Sequence, residues 1–289
     1  MNPSPRPFPW RREATRHPAA SHRIALRGAQ VHYRQWSRGA GPLLVFVHGF
    51  AGHTHWWDWV APAFQDRWTT VALDLSGMGD SEWRSDYPPE AHPLDILELI
   101  DHLGGRPATV IGHSFGGGAL LRACALDGGT ARRISHAIVV DSFVRIEGHR
   151  IPNARSTAGA RALYPDLDTA LGRFRLNPDQ PVADPAMLDY LARRSLRGTD
   201  GGWHWKFDPK IPGPQKTDAR ALLASIATPV DVVVGEHSVV IDRGLAEACV
   251  AALPHGRGPH IVRDGNHHLM LDQPARLIDT LQQLLDAAR

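Results

Sequence analysis

Cysteine, net charge and long apolar runs are all scarce in this sequence of 289 residues. Its two cysteines, Cys124 and Cys249, are too few for a disulfide framework, which favours a reducing, cytoplasmic setting. Lys and Arg total 32 against 30 Asp and Glu, so the net charge of +2 does not indicate a nucleic-acid partner. No apolar run reaches the length of about 18 residues that a membrane span needs. We therefore expect neither a nucleic-acid-binding protein nor a protein with a membrane span.

The N-terminal residues also lack the apolar segment of a secretory signal peptide. Residues 1–21 are instead rich in proline and arginine, and we expect them to form a flexible arm that packs along the domain. The hydrophobic fraction of 43% and the charged fraction of 21% are ordinary for a globular protein. The length suits one α/β domain with a smaller inserted module.

Apolar runs without polar alternation indicate strands that are buried on both faces of a mostly parallel sheet. Helical patterns separate these runs, which predicts a doubly wound α/β core. The alternation stops over residues 143–224, a stretch too long for a loop that we expect to form a mainly helical cap. The core then comprises residues 22–142 and 225–289. The clearest apolar runs are residues 43–47, 70–73, 108–111, 137–140 and 230–234.

The most informative motif is Gly112-His113-Ser114-Phe115-Gly116, which directly follows the apolar run 108–111. A serine between two glycines at a strand-to-helix turn is typical of a nucleophile elbow, because side chains at the flanking positions would clash. The turn lifts the serine hydroxyl to the edge of the sheet, and the next helix points its N-terminus at the same place. The motif therefore predicts a nucleophile at Ser114.

Together with this elbow, three further motifs give the chain a resemblance to the α/β-hydrolase superfamily after about residue 25. They are His48-Gly49-Phe50, the turn Asp74-Leu75-Ser76-Gly77-Met78-Gly79-Asp80-Ser81, and Asp264-Gly265-Asn266-His267-His268 ahead of Pro274. The resemblance implies an α/β-hydrolase fold with a mostly parallel, eight-stranded sheet. It further implies that the backbone N–H groups of Phe50 and Phe115 form the oxyanion hole. It also implies that His267, seven residues before Pro274, is the catalytic base, with His268 as the alternative.

The acidic member of the site departs from the commoner family pattern. The family usually carries an aspartate after the first strand that follows the cap, but this chain has Gly235-Glu236-His237-Ser238 there. Some family members carry the acid after the strand that precedes the cap, where Asp141 stands. The resemblance therefore favours Asp141, with Ser238 assisting the imidazole, an arrangement similar to a subgroup of small-ester hydrolases. Glu236 and Asp242 are the alternatives.

A histidine cluster in the first third of the chain invites a metal interpretation. His53 and His55 resemble part of a zinc motif, but Asp58 is one position late and the last histidine of the motif is missing. We therefore expect no metal and no other cofactor.

The sequence thus predicts a serine esterase that cleaves small to medium carboxylic esters through an acyl-enzyme. Trp203, Trp205 and Phe207 would line an apolar acyl pocket in the cap for this small-molecule substrate, although helical core packing is the default role of such residues. A C–C bond hydrolase of ring-cleavage products is disfavoured, because such relatives carry Asn and Trp where His113 and His268 stand. A ligand-binding receptor with slow turnover is the alternative outside enzymes. The sequence does not indicate an oligomeric state.

Overall fold

A single eight-stranded sheet forms the centre of the molecule. The computed structural model describes residues 8–16, 18–36, 41–127, 133–142, 144–149, 162–213 and 217–288. The sheet strands are β1 (Ala20–Leu26), β2 (Ala29–Trp36), β3 (Leu43–Val47), β4 (Thr69–Leu73), β5 (Ala108–His113), β6 (Ile134–Val140), β9 (Val230–Gly235) and β10 (Gly256–Val262). Their order in the sheet is β1-β2-β4-β3-β5-β6-β9-β10; β2 runs antiparallel to β1 and β4, and all other neighbouring strands are parallel. The predicted α/β fold with a mostly parallel sheet is therefore confirmed.

Helices cover both faces of this sheet, which explains the unbroken apolar runs. On β3, Val45 and Val47 belong to one buried cluster, whereas Leu44 and Phe46 belong to the cluster on the opposite face. No described helix is long and apolar enough to cross a bilayer. The helices are α1 (Trp10–Arg16), α2 (Ala91–His102), α3 (Phe115–Leu126), α4 (Leu167–Leu171), α5 (Pro185–Arg194), α6 (Arg220–Ala224), α7 (Arg243–Ala252), α8 (Leu269–Asp272) and α9 (Pro274–Ala287), with short 3-10 helices at Thr54–Trp57 and Ala61–Phe64.

The predicted cap segment contains a β-hairpin as well as helices. β7 (Leu196–Thr199) pairs antiparallel with β8 (Gly202–Trp205), so the aromatic residues expected on a helix lie on and just after a strand. A β-bridge joins Met78, in the turn after β4, to Phe207, and this contact fixes the hairpin to the core. The helices α4, α5 and α6 also lie in this segment, while residues 143 and 150–161 are outside the described residues.

The N-terminal segment packs along the domain, as its composition predicts, but its described part is a helix. Residues 10–16 form α1, and the Trp10 side chain is only 5% exposed. Its indole N–H donates to Asp184 Oδ2 at 2.7 Å, and its ring meets those of Trp59 and Tyr190 edge to face. A buried tryptophan with a satisfied N–H is a strong anchor, so this part of the arm is packed in place. Residues 1–7 lie outside the described part of the chain.

Two glycines of α3, Gly116 and Gly118, provide a test of the packing at the N-terminus of this helix. An added Cβ at Gly116 would lie 2.4 Å from the carbonyl oxygen of His48, whereas one at Gly118 would meet nothing within 4 Å. We expect Gly116→Ala to lower the free energy of unfolding by about 1–3 kcal/mol, since a backbone oxygen cannot move aside without strain. The matched control, Gly118→Ala, should raise it by about 0.5–1 kcal/mol through helix propensity. Urea denaturation measures both free energies of unfolding. Equal changes in the two variants would contradict the close packing at Gly116.

Candidate active site

Ser114 lies on a strained turn between β5 and α3. Its φ of 52° is in the left-handed region, which is uncommon for a residue other than glycine. Its backbone N–H donates to the carbonyl of Val140 at 3.0 Å, which fixes the turn against the end of β6. An added Cβ at Gly112 would lie 2.7 Å from the carbonyl oxygen of Gly116. The close packing thus requires small residues on both sides of the serine, as the motif predicts.

His267 and Asp141 come together at the carboxyl edge of the sheet. His267 lies between β10 and α8 and is 3% exposed, and its Nδ1 is 2.7 Å from Asp141 Oδ1. Asp141 directly follows β6 and is completely buried, with a φ of 47°. A carboxylate oxygen can only accept a hydrogen bond from the imidazole, so Nδ1 carries the proton and Nε2 keeps its lone pair.

Two other groups hydrogen-bond to the same carboxylate. The backbone N–H of Gly235 donates to Asp141 Oδ2 at 2.8 Å, and the Ser238 hydroxyl donates to Oδ1 at 2.6 Å. The sequence predicts that Ser238 assists the imidazole, whereas the structure places its hydroxyl on the carboxylate. Ser238 Oγ also accepts the backbone N–H groups of Val240 and Ile241, at 3.2 and 3.3 Å, so its position is well defined.

The alternative residues for the acid and the base lie elsewhere. The exposed Glu236 carboxylate accepts the backbone N–H of Asp264 at 2.8 Å, and Asp242 caps α7 through the N–H of Leu245. His268 is buried next to His267, with ring centroids 4.6 Å apart, but neither of its ring nitrogens has a hydrogen-bond partner among the described residues. The carboxylate at His267 is therefore that of Asp141.

Phe50 and Phe115 flank the serine. The N–H of Phe115 is at the first position of α3, where a helix offers no internal partner. Phe50 follows β3, and within the described part of the chain its N–H makes no hydrogen bond to another backbone group. The two rings meet edge to face at 5.7 Å, which places the two residues side by side. Within the described residues neither N–H group bonds to another backbone group, so both can bind an external acceptor.

The loop that carries Phe50 is held by the buried carboxylate of Asp74. That carboxylate accepts the backbone N–H groups of Thr54 and Asp80, at 2.5 and 2.8 Å, and a hydrogen bond from His32 Nδ1 at 2.7 Å. Burial alone would raise the pKa of Asp74, but the hydrogen bond and charge of His32 hold it below its usual value. The turn after β4 therefore has a structural role.

The predicted cap aromatics separate into two groups. Phe207 is 6.0 Å from the Phe50 ring, which places it beside the Phe50–Phe115 pair. Trp205 instead meets Tyr164 and Phe174 within the cap, and its indole N–H donates to the Tyr164 hydroxyl at 3.2 Å. Trp203 forms a β-bridge with Tyr164. Phe207 therefore connects the predicted cap segment to the Phe50 loop.

His113 is a residue of the site whose role the motif alone does not indicate. It is 2% exposed, and its Nε2 donates to the backbone carbonyl of His267 at 3.0 Å. A carbonyl can only accept, so Nδ1 of His113 keeps its lone pair. The side chain before the nucleophile therefore holds the loop that carries His267. Its sequence signal is a histidine at a position where a related class of hydrolases has Asn.

Three groups of described side chains have ring nitrogens or carboxylate oxygens close enough to hold a metal ion. His53 and His55, whose spacing fails to match a zinc motif, are in none of them. His53 Nε2 is 3.0 Å from the Ser195 hydroxyl, and His55 Nδ1 is 2.7 Å from Asp58. The three groups are His113, His267 and His268; His32, Asp74 and Asp80; and Glu236, His237 and Asp264.

Comparison with known proteins identifies the family of the chain. The model of the alpha/beta hydrolase family matches residues 44–280. The chain belongs to this family. It is 26% identical to the esterase Rv0045c of Mycobacterium tuberculosis over 271 residues, which cover 90% of this chain and 88% of the relative.

Solved structures show the same fold. That of E-2-(acetamidomethylene)succinate hydrolase has a TM-score of 0.75 at 21% identity, covering 93% of this chain and 99% of that one. The crystal structure of Rv0045c from Mycobacterium tuberculosis has a TM-score of 0.72 at 23% identity, covering 93% of this chain and 91% of that one. These structures support the alpha/beta hydrolase fold along almost the whole chain. A hydrolase activity is supported by the family and by the similarity to the esterase Rv0045c.

The buried histidines predict how stability depends on pH. Burial lowers the pKa of His113 and of His268 well below the ordinary value of 6.5. In the unfolded chain both bind protons near pH 6.5, so the free energy of unfolding is retained above that pH and falls as the pH decreases below it. Each histidine that stays neutral in the folded state contributes a slope of about 1.4 kcal/mol per pH unit.

We expect His268→Gln to reduce this slope by about that amount, measured by urea denaturation between about pH 7 and pH 5. The exposed His237 provides the matched control, and His237→Gln should leave the slope of the wild type unchanged. A His268→Gln slope equal to the wild-type slope would contradict a neutral, buried His268.

Proposed function

We propose that this protein is a serine esterase in which Ser114 is the nucleophile, His267 the general base and Asp141 the group that orients the base. The observation that carries the proposal is the 2.7 Å hydrogen bond between His267 Nδ1 and the buried Asp141, on the same sheet edge as the strained Ser114 turn. The similarity to the esterase Rv0045c supports the same class of reaction.

In the acylation step, Ser114 Oγ attacks the carbonyl carbon of the ester, and the lone pair on His267 Nε2 takes the hydroxyl proton. The carbonyl oxygen becomes an oxyanion that accepts hydrogen bonds from the N–H groups of Phe50 and Phe115. Such donors are typically worth about 3–4 kcal/mol each in the transition state. The C–O bond to the alcohol then breaks, and the imidazolium gives its proton to the leaving alkoxide.

In the deacylation step, the same groups act on water. His267 Nε2 takes a proton from a water molecule as that molecule attacks the acyl carbon, and it then returns the proton to Ser114 Oγ as the acid product leaves. Asp141 stabilises the imidazolium in both steps. Ser238 acts as a positioning residue, because its hydroxyl bonds to the carboxylate and not to the ring.

The acyl group of the substrate would lie against aromatic side chains. Phe207 is the first candidate from the cap, since it contacts Phe50 beside the proposed oxyanion donors. Trp203 and Trp205 would line the outer part of the same pocket, where a longer acyl chain reaches the cap. This arrangement favours small to medium apolar acyl groups.

The cysteines support a reducing compartment such as the cytoplasm for this activity. Cys124 and Cys249 are both buried and unpaired. Burial raises the pKa of each thiol to about 12, so neither is a reactive thiolate at neutral pH.

Hydrolysis of p-nitrophenyl esters of increasing acyl length tests the proposed function. We expect turnover by the wild type and a loss of at least about a thousandfold in kcat for Ser114→Ala, because the nucleophile is removed. The matched control is Ser225→Ala, an exposed serine at the end of α6, which should retain wild-type turnover. Turnover that survives Ser114→Ala would place the reaction at another site, and a protein that binds esters without cleaving them would be a receptor.

The identity of the acid is tested by isosteric amides. Asp141→Asn should lower kcat by at least about a hundredfold, because the imidazole loses the group that holds its reactive tautomer. Glu236→Gln, which alters an exposed carboxylate, should lose less than about tenfold. Ser238→Ala should lose roughly fivefold, the factor that corresponds to one hydrogen bond of about 1 kcal/mol, and so far less than Asp141→Asn. A large loss of kcat in Glu236→Gln, together with nearly wild-type kcat in Asp141→Asn, would contradict the assignment of Asp141 as the acid.

A further inference from the structure

The backbone segment that carries His267 has little regular structure of its own. It lies between β10 and α8, and α8 is a single turn of four residues, Leu269–Asp272. One helical turn is not stable by itself, because its formation fixes several residues for a single hydrogen bond. The position of the His267 backbone therefore depends on groups from other parts of the chain.

Two side chains of the α/β core hold this segment by its carbonyl groups. His113 Nε2 donates to the His267 carbonyl at 3.0 Å, and the indole N–H of Trp59 donates to the carbonyl of Met270 in α8 at 2.6 Å. Neither contact involves the backbone N–H of His268, the residue that directly follows the proposed base. His268 is only 5% exposed, and a buried backbone N–H group needs a hydrogen-bond partner.

Gln180, a half-buried residue of the predicted cap segment, supplies that partner. The backbone N–H of His268 donates to Gln180 Oε1 at 2.7 Å, and Gln180 Nε2 donates to the His268 carbonyl at the longer distance of 3.4 Å. A backbone N–H group can only donate, so this bond also fixes which way the Gln180 amide is turned. One side-chain amide thus bonds to both backbone groups of the residue beside His267.

A second contact from the same part of the predicted cap segment reaches α8 itself. The backbone N–H of Ala183 donates to the carbonyl of Leu271 at 2.8 Å. Gln180 bonds to His268, which directly precedes α8, and Ala183 bonds to the last turn of the chain within it. The predicted cap segment therefore helps to determine where this short helix and the preceding His267 lie.

We propose that Gln180 is a positioning residue for the general base, because its amide holds the backbone directly beside His267. This proposal rests on the proposed function, in which His267 Nε2 must lie within hydrogen-bond reach of Ser114 Oγ. Without the amide, the buried N–H of His268 loses its acceptor, and the backbone moves toward another one. A displacement of about 1 Å can lower the rate by on the order of a hundredfold.

Kinetics with p-nitrophenyl esters distinguish this role from a contact with the substrate. Gln180→Met keeps the length of the side chain but removes the acceptor, so kcat should fall by at least about tenfold while KM stays within about threefold. Gln180→Glu keeps an oxygen for the His268 N–H and should restore kcat to within about threefold of the wild type. The matched control, Gln282→Met, alters an exposed glutamine of α9 and should retain wild-type kinetics. Unchanged kcat in Gln180→Met, a rise in KM alone, or no rescue by Gln180→Glu would overturn the proposal.

The NMR resonance of the His267 Nδ1 proton, which is bonded to Asp141, keeps the test independent of ester turnover. This resonance should shift or broaden in Gln180→Met and stay at its wild-type position in Gln282→Met. Such a change in a protein that never cleaves esters would support the positioning role and contradict only the esterase, whereas an unchanged resonance would overturn the proposal. If circular dichroism shows that Gln180→Met is unfolded, Gln180→Asn, whose amide is one methylene too short to reach His268, replaces it in both measurements.

Discussion

The buried carboxylate of Asp141 is the group on which the candidate site depends, because groups from the ends of two other strands, β9 and β10, meet on it. It is completely buried and accepts hydrogen bonds from His267 after β10, from Ser238 after β9 and from the Gly235 N–H at the end of β9. A buried charge is tolerated only when such partners are present. The contacts that would orient the base are therefore also contacts that hold the carboxyl edge of the sheet together.

Backbone strain occurs at the two central positions of this edge. Ser114 and Asp141 both have positive φ values, 52° and 47°, at the ends of the neighbouring strands β5 and β6. Conformations of this kind persist only where the surrounding structure enforces them. Here the Ser114 N–H bonds to Val140 and the Asp141 N–H bonds to Val233, so the sheet itself holds both side chains at its edge.

The sheet and the serine turn are predictable from sequence because their signals are local. The apolar run 43–47 matches β3, and the two glycines beside Ser114 meet the backbone contacts that the motif implies. The hairpin with Trp203 and Trp205 is not predictable in this way, because its strands are short and depend on pairing with distant Tyr164 and Met78. The anchoring of Trp10 by Asp184 is likewise a contact between distant parts of the chain. Ser238 could be identified as part of the site, but its partner depends on how β6 and β9 pair.

The central claim is that the environment of Ser114 makes its hydroxyl a nucleophile, and covalent labelling measures this most directly. Intact protein treated with a serine-directed organophosphonate should take up one label, and peptide mapping by mass spectrometry should find it on Ser114, because only a serine paired with a base is reactive enough. Boiled protein, in which the site is lost, should take up none. A label on a different serine, or ester turnover by a protein whose Ser114 remains unlabelled, would contradict the claim.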